Sequence, residues 1–348
     1  MKNLKPQFDF DDILFVPKIK THIASRYDGI SLSTRLPLFT APMDTVVDLS
    51  TSWEFMHNGI NVTLPRTIKR EDYVDVPPGV FVSMGFNDLD RELKTSLREL
   101  PDNLHVVIDV ANGHMQKVFD YCREIKRLRP DIVLMIGNIG NPETYMWYAK
   151  NTSVDYIRVG IGNGGGCLTT KQSGVGYPMA SLIYETSEVK KRFLKANPGR
   201  TAPAIVADGG MKDHSDIIKA LGLGADYVMI GSIFNKALES CAQNYLYRIK
   251  VNKKIADYLF RKGFPVKKYF RGMSTKAAQK AMGKTDFKTS EGVVRFRRVE
   301  YTLDGWVENF RHYLRNAMSY SNARNLEEFI GQADIIQITK NAYDRFNK

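Results

Sequence analysis

Residues 203–232 read Pro203-Ala-Ile-Val-Ala-Asp-Gly-Gly-Met-Lys-Asp-His-Ser-Asp-Ile-Ile-Lys-Ala-Leu-Gly-Leu-Gly-Ala-Asp-Tyr-Val-Met-Ile-Gly-Ser232 and contain one complete repeat of the fold. Two short apolar runs, Pro203 to Asp208 and Asp226 to Ile230, flank a segment with helical spacing of apolar residues, His214 to Leu221. Short apolar runs that alternate with helical segments are typical of parallel strands joined by crossover helices. The segment therefore predicts a βαβ unit.

The same alternation extends through most of the chain. Apolar runs that end in Gly, Asn, Asp or Pro predict eight strands, at Leu38 to Ala41, Ile60 to Leu64, Val80 to Met84, Leu104 to Asp109, Ile132 to Ile136, Val154 to Val159, Pro203 to Asp208 and Asp226 to Ile230. Helices are predicted at Leu49 to Asn58, Leu89 to Leu100, Gln116 to Leu128, Glu143 to Lys150, Met179 to Ala196, His214 to Leu221 and Phe234 to Ser240. Eight βα units favour an α/β fold closed into a (β/α)8 TIM barrel, with an open doubly wound sheet as the alternative.

Composition is that of an ordinary globular protein. The 348 residues are 43% hydrophobic and 25% charged, which is enough apolar material for a large core. The sequence has no apolar run of membrane-spanning length and no apolar N-terminal signal, so we expect a cytoplasmic protein. We expect a single domain over residues 1–348, with an N-terminal extension, a barrel at about 36–245, and a flap and C-terminal tail at about 246–348.

Positive charge is concentrated in one part of the chain. The net charge is +12, whereas Arg248 to Arg298 alone carries 16 Lys and Arg against three acids. Such a segment attracts phosphate groups of nucleotides or nucleic acid, and its aromatic residues would allow base stacking. The alternative is a solvated lysine-rich face.

Unusual residues follow the predicted strands, where barrel enzymes place their chemistry. These stretches are Pro42-Met-Asp-Thr45, Val110-Ala-Asn-Gly113, Gly137-Asn138, Asp208-Gly-Gly210 and Gly231-Ser232. The loops after strands seven and eight of a barrel commonly bind phosphate through backbone N–H groups. We therefore predict a phosphate site at Asp208-Gly-Gly210 and Gly231-Ser232, with Asp208 accepting hydrogen bonds from ribose hydroxyls.

A glycine-rich loop holds a single cysteine after the sixth predicted strand. It reads Gly160-Ile-Gly-Asn-Gly-Gly-Gly-Cys-Leu-Thr-Thr-Lys-Gln-Ser-Gly-Val-Gly-Tyr-Pro178 and contains Cys167. Glycines let the backbone approach a ligand closely, and a cysteine attacks as its thiolate. We predict that Cys167 is a nucleophile. A flexible surface turn is the alternative, and an inert thiol fits Cys122 and Cys241 better.

From about Phe8 to Ile338 the chain resembles the family of inosine monophosphate dehydrogenase and GMP reductase. The matching stretches are Phe10-Asp-Asp-Ile-Leu14, Ser25-Arg26, Met43-Asp-Thr45, Asp109-Val-Ala-Asn-Gly113, Gly137-Asn138, the cysteine loop ending in Gly174-Val-Gly-Tyr-Pro178, Asp208-Gly-Gly210 and Arg271-Gly-Met-Ser274. The resemblance implies a barrel that binds a purine nucleotide, a thiolate that attacks purine C2, and a nicotinamide cofactor. It usually implies a homotetramer.

Three features favour the reductase branch of this family. No regulatory domain fits between the third and fourth predicted strands, and no adjacent Arg-Tyr pair lies between Met273 and Glu291. Thr289-Ser-Glu-Gly292 is similar to the glutamate motif of the reductases. The resemblance then implies NADPH-dependent reductive deamination of GMP, or of a related guanine nucleotide such as dGMP, to IMP and ammonia through a thioimidate on Cys167. Inosine monophosphate dehydrogenase activity with NAD, or a catalytically silent nucleotide- or nucleic-acid-binding homologue, are the alternatives.

The resemblance also implies roles for individual residues. Cys167 is the nucleophile, and Glu291 acts through Thr169 to protonate the leaving amine. The substrate is bound by Asp208, Gly209, Gly210, Gly231, Ser232, Gly272, Met273, Ser274, Lys288, Ser290 and Gly292. The cofactor is bound by Ser25, Arg26, Arg66, Asp109, Ala111, Asn112, Gly162, Ser321, Asn322 and Ala323. A potassium ion would be held by the carbonyls of Gly162, Gly164 and Cys167.

The cysteine loop departs from the family pattern. It has Asn163, Gly165, Gly166 and Leu168 where proline, serine, an apolar residue and threonine are usual, and Thr170 where arginine is usual near the cation site. The serine usually placed at position 165 contributes a hydroxyl to phosphate binding. These departures indicate either a divergent reductase with a modified substrate or a protein of reduced activity.

Overall fold

The computed structural model describes residues 5–95, 97–102, 104–273, 275–282 and 293–346. Its strands are β1 (Ile13–Phe15), β2 (Leu38–Thr40), β3 (Thr63–Leu64), β4 (Phe81–Met84), β5 (His105–Asp109), β6 (Val133–Ile139), β7 (Tyr156–Val159), β8 (Ala204–Asp208), β9 (Tyr227–Ile230), β10 (Asn244–Leu246), β11 (Ile249–Val251), β12 (Val266–Arg271), β13 (Val294–Arg298) and β14 (Ile335–Gln337). Its α-helices are α1 (Ser52–His57), α2 (Phe86–Thr95), α3 (Gln116–Leu128), α4 (Pro142–Asn151), α5 (Thr169–Ser173), α6 (Met179–Ala196), α7 (His214–Gly222), α8 (Ser232–Asn235), α9 (Lys253–Arg261), α10 (Lys276–Ala281), α11 (Leu303–Tyr320), α12 (Leu326–Phe329) and α13 (Lys340–Phe346).

Within these residues, eight parallel strands form a barrel. The strand order is β2-β9-β8-β7-β6-β5-β4-β3, and every neighbouring pair is parallel. The gap between β2 and β3 is bridged by Asn61, which donates its backbone N–H to Leu38 O and accepts from Thr40 N, each at 2.9 Å. The predicted barrel is confirmed and the open doubly wound sheet is wrong, because an open sheet would leave β2 and β3 on opposite edges.

Most predicted elements lie within a few residues of their observed positions, but the last predicted helix is wrong. Phe234 to Ser240 is not a helix; α8 ends at Asn235. The backbone carbonyls of Leu238 and Ser240 instead accept hydrogen bonds from the buried Lys268 Nζ, at 2.9 and 2.5 Å. The outer layer beside α7 is supplied by α11, which packs against it. In the sequence, α11 comes after the strands of the sheet β11-β10-β12-β13.

The barrel interior is packed at the amino ends of its strands. Phe39, Phe81, Val107, Met135, Val206 and Met229 form a buried cluster inside the barrel. The rings of Phe39 and Phe81 pack edge to face with a centroid distance of 5.6 Å, and Tyr156 and Tyr227 close the layer. Since side chains fill this end, the space for a ligand within the described residues lies at the carboxyl ends. A second, larger core lies between the strands and the surrounding helices.

Short antiparallel strands join the two ends of the chain, because β1 pairs with β14. None of the helices in the described parts of the chain has the length and apolar character needed to cross a membrane.

Candidate active site

A cleft of about 690 Å³ opens at the carboxyl ends of the barrel strands. Its walls are loops that follow several different strands, together with β12 and β13. It brings together the predicted residues Cys167, Thr169, Asp208, Gly209, Gly210, Gly231, Ser232, Gly272, Met273, Arg66, Asp109, Ala111, Gly162 and Gly164. Residues that are far apart in the sequence therefore line one space.

Cys167 lies in this cleft at the start of the short helix α5. Its backbone N–H donates to Gly164 O at 2.8 Å, and its half-buried thiol donates to Thr169 Oγ1 at 3.2 Å. The sulfur and the hydroxyl thus form a pair that both contact the cleft. A thiol beside a hydroxyl that can pass on a proton is suited to addition and elimination at an electrophilic carbon.

The other two cysteines are in different surroundings. Cys122 is fully buried in α3, and burial raises the pKa of its thiol. Burial also raises the pKa of the Cys241 thiol, which donates to Asp44 O at 3.4 Å. Both thiols are therefore held in the protonated, unreactive form.

The cysteine loop is shaped by Thr170. A Cβ atom on Gly162 would lie 1.8 Å from Thr170 Oγ1, and one on Gly176 would lie 2.5 Å from it. The same hydroxyl donates to Val175 O at 2.8 Å. Glycine is therefore required on both sides of this side chain. The potassium site at the carbonyls of Gly162, Gly164 and Cys167 stays a prediction; Gly164 O already accepts the N–H of Cys167.

The predicted phosphate loops meet the cysteine loop. Gly209 and Gly210 have φ of +90° and +93°, and a Cβ atom on Gly209 would lie 3.0 Å from Gly164 N. A Cβ atom on Gly231 would lie 2.9 Å from Met43 Sδ. Side chains at these positions would thus separate loops that now touch. The loop after β8 thus packs on the cysteine loop, and the loop after β9 packs on Met43, which follows β2.

Arg158 is a site residue that the sequence analysis missed. It is buried in β7 and donates from Nη1 to Asp109 Oδ1 at 2.7 Å and from Nη2 to Asp208 Oδ2 at 2.8 Å. Asn138 Nδ2 also donates to Asp208, at 2.9 Å, and Arg66 Nε lies 3.4 Å from Asp109 Oδ2. Burial opposes ionisation of Asp109, but the charges of Arg158 and Arg66 outweigh it and hold the pKa of this carboxyl below its ordinary value. The sequence does contain a signal for this role, because Arg158 is a charged residue inside an otherwise apolar predicted strand. Buried arginines are normally paired with carboxylates.

A second ion pair joins two of the quoted motifs. Arg271, at the end of β12, donates to the carboxylate of Asp44, which follows the first barrel strand. Gly272 and Met273 are thereby fixed at the rim of the cleft.

Two further arginines, Arg295 and Arg297, line the cleft and were also missed. Both come from β13, and the guanidinium of Arg297 lies over the Phe270 ring, 4.3 Å from its centroid. In the sequence they stand out only as members of the basic segment Arg248 to Arg298.

Some predicted cofactor residues lie outside the cleft. Asn112 is exposed and accepts the backbone N–H of His114. Ser321 and Asn322 line a different cleft, and Asn322 Oδ1 accepts the N–H of His22 at 2.8 Å. Ala323 is buried. The segment that carries Ser25 and Arg26 lies against this end of the chain, since Ser31 N donates to Arg324 O at 2.8 Å. The structure thus separates the predicted cofactor residues into two groups.

The predicted residues Ser274, Lys288, Ser290, Glu291 and Gly292 lie outside the described residues. Their roles stay predictions.

Comparison with known proteins places this site in a family context. A family model described as "IMP dehydrogenase / GMP reductase domain" matches residues 102–345. A GMP reductase of Caenorhabditis elegans is 27% identical over 98% of this chain and 95% of its own length. GMP reductase 1 of Homo sapiens is 27% identical over 96% of both chains. A GMP reductase of Streptococcus pyogenes serotype M4 is 28% identical over 94% of both chains.

Proposed function

Because the chain belongs to the IMP dehydrogenase / GMP reductase family, we propose that it is a GMP reductase that uses Cys167 as its nucleophile. It is an oxidoreductase that acts on a purine nucleotide. The single observation that carries the assignment of the nucleophile is the position of the Cys167 thiol, inside the cleft and 3.2 Å from Thr169 Oγ1. The other two thiols are kept protonated by burial.

The reaction begins when the Cys167 thiolate attacks C2 of the guanine ring and forms a carbon–sulfur bond. The bond from C2 to the amino nitrogen then breaks, and the nitrogen leaves as ammonia after it gains a proton. Thr169 passes this proton, for which Glu291 is the source. A thioimidate remains, with the sulfur of Cys167 bonded to an electrophilic C2. Hydride addition at C2 and loss of the thiolate yield IMP.

The nucleotide is oriented by the floor of the cleft. Asp208 accepts the ribose hydroxyls, and the backbone N–H groups of Gly209-Gly210 and Gly231-Ser232 bind the phosphate. Arg158 holds the Asp208 carboxylate in place through the 2.8 Å hydrogen bond. The same site would accept dGMP, because Asp208 can use a single ribose hydroxyl.

The described residues fit a nicotinamide cofactor beside the nucleotide. Among the residues that the structure describes, Arg66 Nε is buried without a hydrogen-bond partner, although it lies 3.4 Å from Asp109 Oδ2. An ion-paired arginine with a donor still free for a hydrogen bond, beside a carboxylate, suits the phosphate or the ribose of a dinucleotide. When bound, the cofactor supplies the hydride. Arg66, Asp109, Ala111 and Gly162 would hold it, and NADPH is the proposed form.

The second group of cofactor residues, at Ser25, Arg26, Ser321, Asn322 and Ala323, suggests a role for the proposed homotetramer. Because these residues do not line the Cys167 cleft, they would serve a cofactor in the cleft of a neighbouring subunit. The proposed function also includes a potassium ion bound by the carbonyls of the cysteine loop.

Incubation with GMP and NADPH tests the proposed function. We expect ammonia release and loss of the near-ultraviolet absorbance of the reduced nicotinamide, and NADH in place of NADPH tests the cofactor preference. Cys167→Ala should abolish turnover, whereas the matched control Cys241→Ala should retain it. Turnover of IMP with NAD instead of GMP with NADPH would assign the dehydrogenase reaction. GMP binding without any turnover would identify a silent binding protein.

A further inference from the structure

Arg297 is a half-buried cation in the cleft with no anionic partner among the described residues. Its Nε atom is shielded from solvent and has no hydrogen-bond partner in the part of the chain that the structure describes. The guanidinium packs over the Phe270 ring, 4.3 Å from the ring centroid. Burial and the neighbouring Arg295 lower the pKa of Arg297. A donor atom shielded from water without a hydrogen-bond partner is costly, and such groups usually meet a ligand or an ion.

Backbone contacts fix β13, and with it Arg297, on the cysteine loop. Val293 N donates to Gly166 O at 3.2 Å, and Gly272 N donates to Val293 O at 3.1 Å. A Cβ atom on Gly166 would lie 3.2 Å from Phe270 Cε1. Gly166 therefore lets the Phe270 ring approach the loop, and this ring supports the guanidinium of Arg297.

The guanidinium lies beside the predicted phosphate loops. A Cβ atom on Gly165 would lie 3.6 Å from Arg297 Nη2 and 3.8 Å from Ser232 Oγ. Position 165 is thus between the arginine and the hydroxyl of Ser232, which follows the last barrel strand. The glycine at 165 leaves this space open, and its backbone would also accept a larger side chain because its φ is not positive.

The positive charge of this corner is not neutralised within the described part of the chain. No carboxylate lies within ion-pair distance of Arg295 or Arg297 there, although Arg158, Arg66 and Arg271 in the same cleft are all paired. A phosphate monoester needs several hydrogen-bond donors around its oxygens. This corner offers two unpaired guanidinium groups, a serine hydroxyl and two glycine-lined loop ends.

We propose that Arg297, supported by Arg295, binds the 5′-phosphate of the purine nucleotide at Gly165 and Ser232. The identity of the nucleotide rests on the proposed function, but the anion site itself rests on the geometry. The guanidinium takes over the role of the hydroxyl that the family resemblance implies at position 165. The loss of that hydroxyl does not remove phosphate binding.

Binding of GMP and guanosine to the Arg297→Gln variant, measured by calorimetry without cofactor, tests this proposal. We expect GMP to bind about 10- to 100-fold more weakly than to the unaltered protein, because a charge-assisted hydrogen bond is lost. Guanosine affinity should not change, since guanosine lacks the phosphate. The matched control is Arg298→Gln, because Arg298 is exposed on the next position of the same strand and faces away from the cleft.

A restoration experiment gives a second measurement. Gly165→Ser alone should be tolerated, because the added Cβ would be at contact distance from its neighbours. In the Arg297→Gln background, Gly165→Ser should recover part of the lost GMP affinity. Circular dichroism spectra and thermal melts of each variant establish that the fold is retained.

Failure of this proposal can be told from failure of the proposed function. If Arg297→Gln weakens GMP and guanosine equally, or neither, Arg297 does not bind the phosphate. If it raises the KM for NADPH and leaves GMP affinity unchanged, the arginine serves the cofactor and the proposal is overturned. If the unaltered protein has no reductase activity but its GMP affinity depends on Arg297 and on the phosphate, the proposed function fails while the phosphate site stands.

Discussion

Arg158 shows how one buried side chain connects the two halves of the candidate site. It bridges Asp109, a predicted cofactor residue, and Asp208, a predicted ribose ligand, with hydrogen bonds of 2.7 and 2.8 Å. Together with Arg66, these residues form an alternating row of two cations and two anions. Their charges balance, which explains how four ionised groups can share the interior of the barrel mouth.

Replacement of Arg158 by lysine should impair the binding of both ligands. A lysine keeps the charge but cannot donate to both carboxylates in the planar geometry of a guanidinium. We expect the KM for GMP and for the cofactor each to rise about tenfold, since a hydrogen bond to a charged group is lost at each carboxylate.

Steady-state kinetics with each substrate varied in turn measures this effect. The rate of Cys167 alkylation, followed by mass spectrometry, should not change, because the thiol does not contact Arg158. Arg127→Lys, in an exposed pair with Glu124, is the control. A rise in only one KM would contradict a bridging role.

At the scale of elements, His114 joins the loops that follow β5 and β6. Its Nε2 accepts the backbone N–H of Gly140 at 3.0 Å, and its Nδ1 lies 2.9 Å from Thr144 Oγ1. The ring must therefore be neutral in the folded protein, with the proton on Nδ1. Burial lowers the pKa of His114, in agreement with this arrangement.

His114 should make stability depend on pH under mildly acidic conditions. Its folded pKa is depressed below that of the unfolded chain, so its contribution is present above the unfolded pKa and is lost as the pH falls through the folded pKa. The thermal midpoint of the protein should therefore decrease more between about pH 7.5 and about pH 5 than that of His114→Gln.

Differential scanning fluorimetry at several pH values tests the His114 prediction. His57→Gln, at the exposed end of α1, controls for the loss of an imidazole. Equal slopes for the unaltered protein and His114→Gln would contradict it.

Helix α11 completes the outer layer of the barrel through Trp306. The indole is buried and stacks on His214 of α7, with a centroid distance of 4.7 Å, and contacts Phe234 edge to face at 5.2 Å. These contacts join two segments of chain that the sheet β11-β10-β12-β13 separates in sequence.

Truncation of Trp306 should be strongly destabilising. Trp306→Ala removes a large buried ring and leaves a cavity, which costs about 3–5 kcal/mol in the free energy of unfolding. Trp53→Ala is a matched control, because Trp53 is 65% exposed and its loss should change the free energy by less than about 0.5 kcal/mol. Urea titration followed by circular dichroism measures both. Similar midpoints for the two variants would refute the role of α11.

For the whole molecule, the basic segment proves to be divided between two surfaces. In the β12–β13 pair, Lys268 faces Arg297 and Lys267 faces Arg298. Neighbouring residues of a strand point to opposite sides, so Arg297 reaches the cleft whereas Arg298 is exposed. The basic segment was expected to bind phosphate groups, but only some of its cationic side chains line the cleft. The cationic residues of this segment that lie outside the cleft share the surface with exposed aromatic residues, among them Tyr258 and Phe296.

The assembled protein should be a homotetramer, as the family resemblance implies. Light scattering after size-exclusion chromatography should give a mass of about four times the 39.6 kDa of one chain. A mass of one chain at the concentrations used for kinetics, with full activity, would contradict both the tetramer and the role of Ser25, Arg26 and Ser321 in a neighbouring cleft.

The sequence by itself determined the barrel and the end of it at which the cleft opens. Eight apolar runs, each with a polar or glycine-rich ending, specify parallel strands whose carboxyl ends must meet when the sheet closes. This is why Cys167, Asp208 and Gly231 could be placed in one site from local pattern alone. The glycines of these loops also marked close backbone approaches in the sequence. In the structure, a positive φ or a close contact excludes other residues at several of these positions.

Only the tertiary structure decided which distant residues act together. Arg158 finds its carboxylates 49 and 50 residues away, and Arg297 reaches Gly165 and Phe270 only because β13 pairs with β12 and donates to the cysteine loop. The helix predicted at Phe234 to Ser240 failed for the same reason, since Lys268 supplies the partners of its carbonyls. Local propensity specifies elements, whereas the pairing of charges and the course of the chain beyond the last strand depend on contacts that exist only after the barrel has closed.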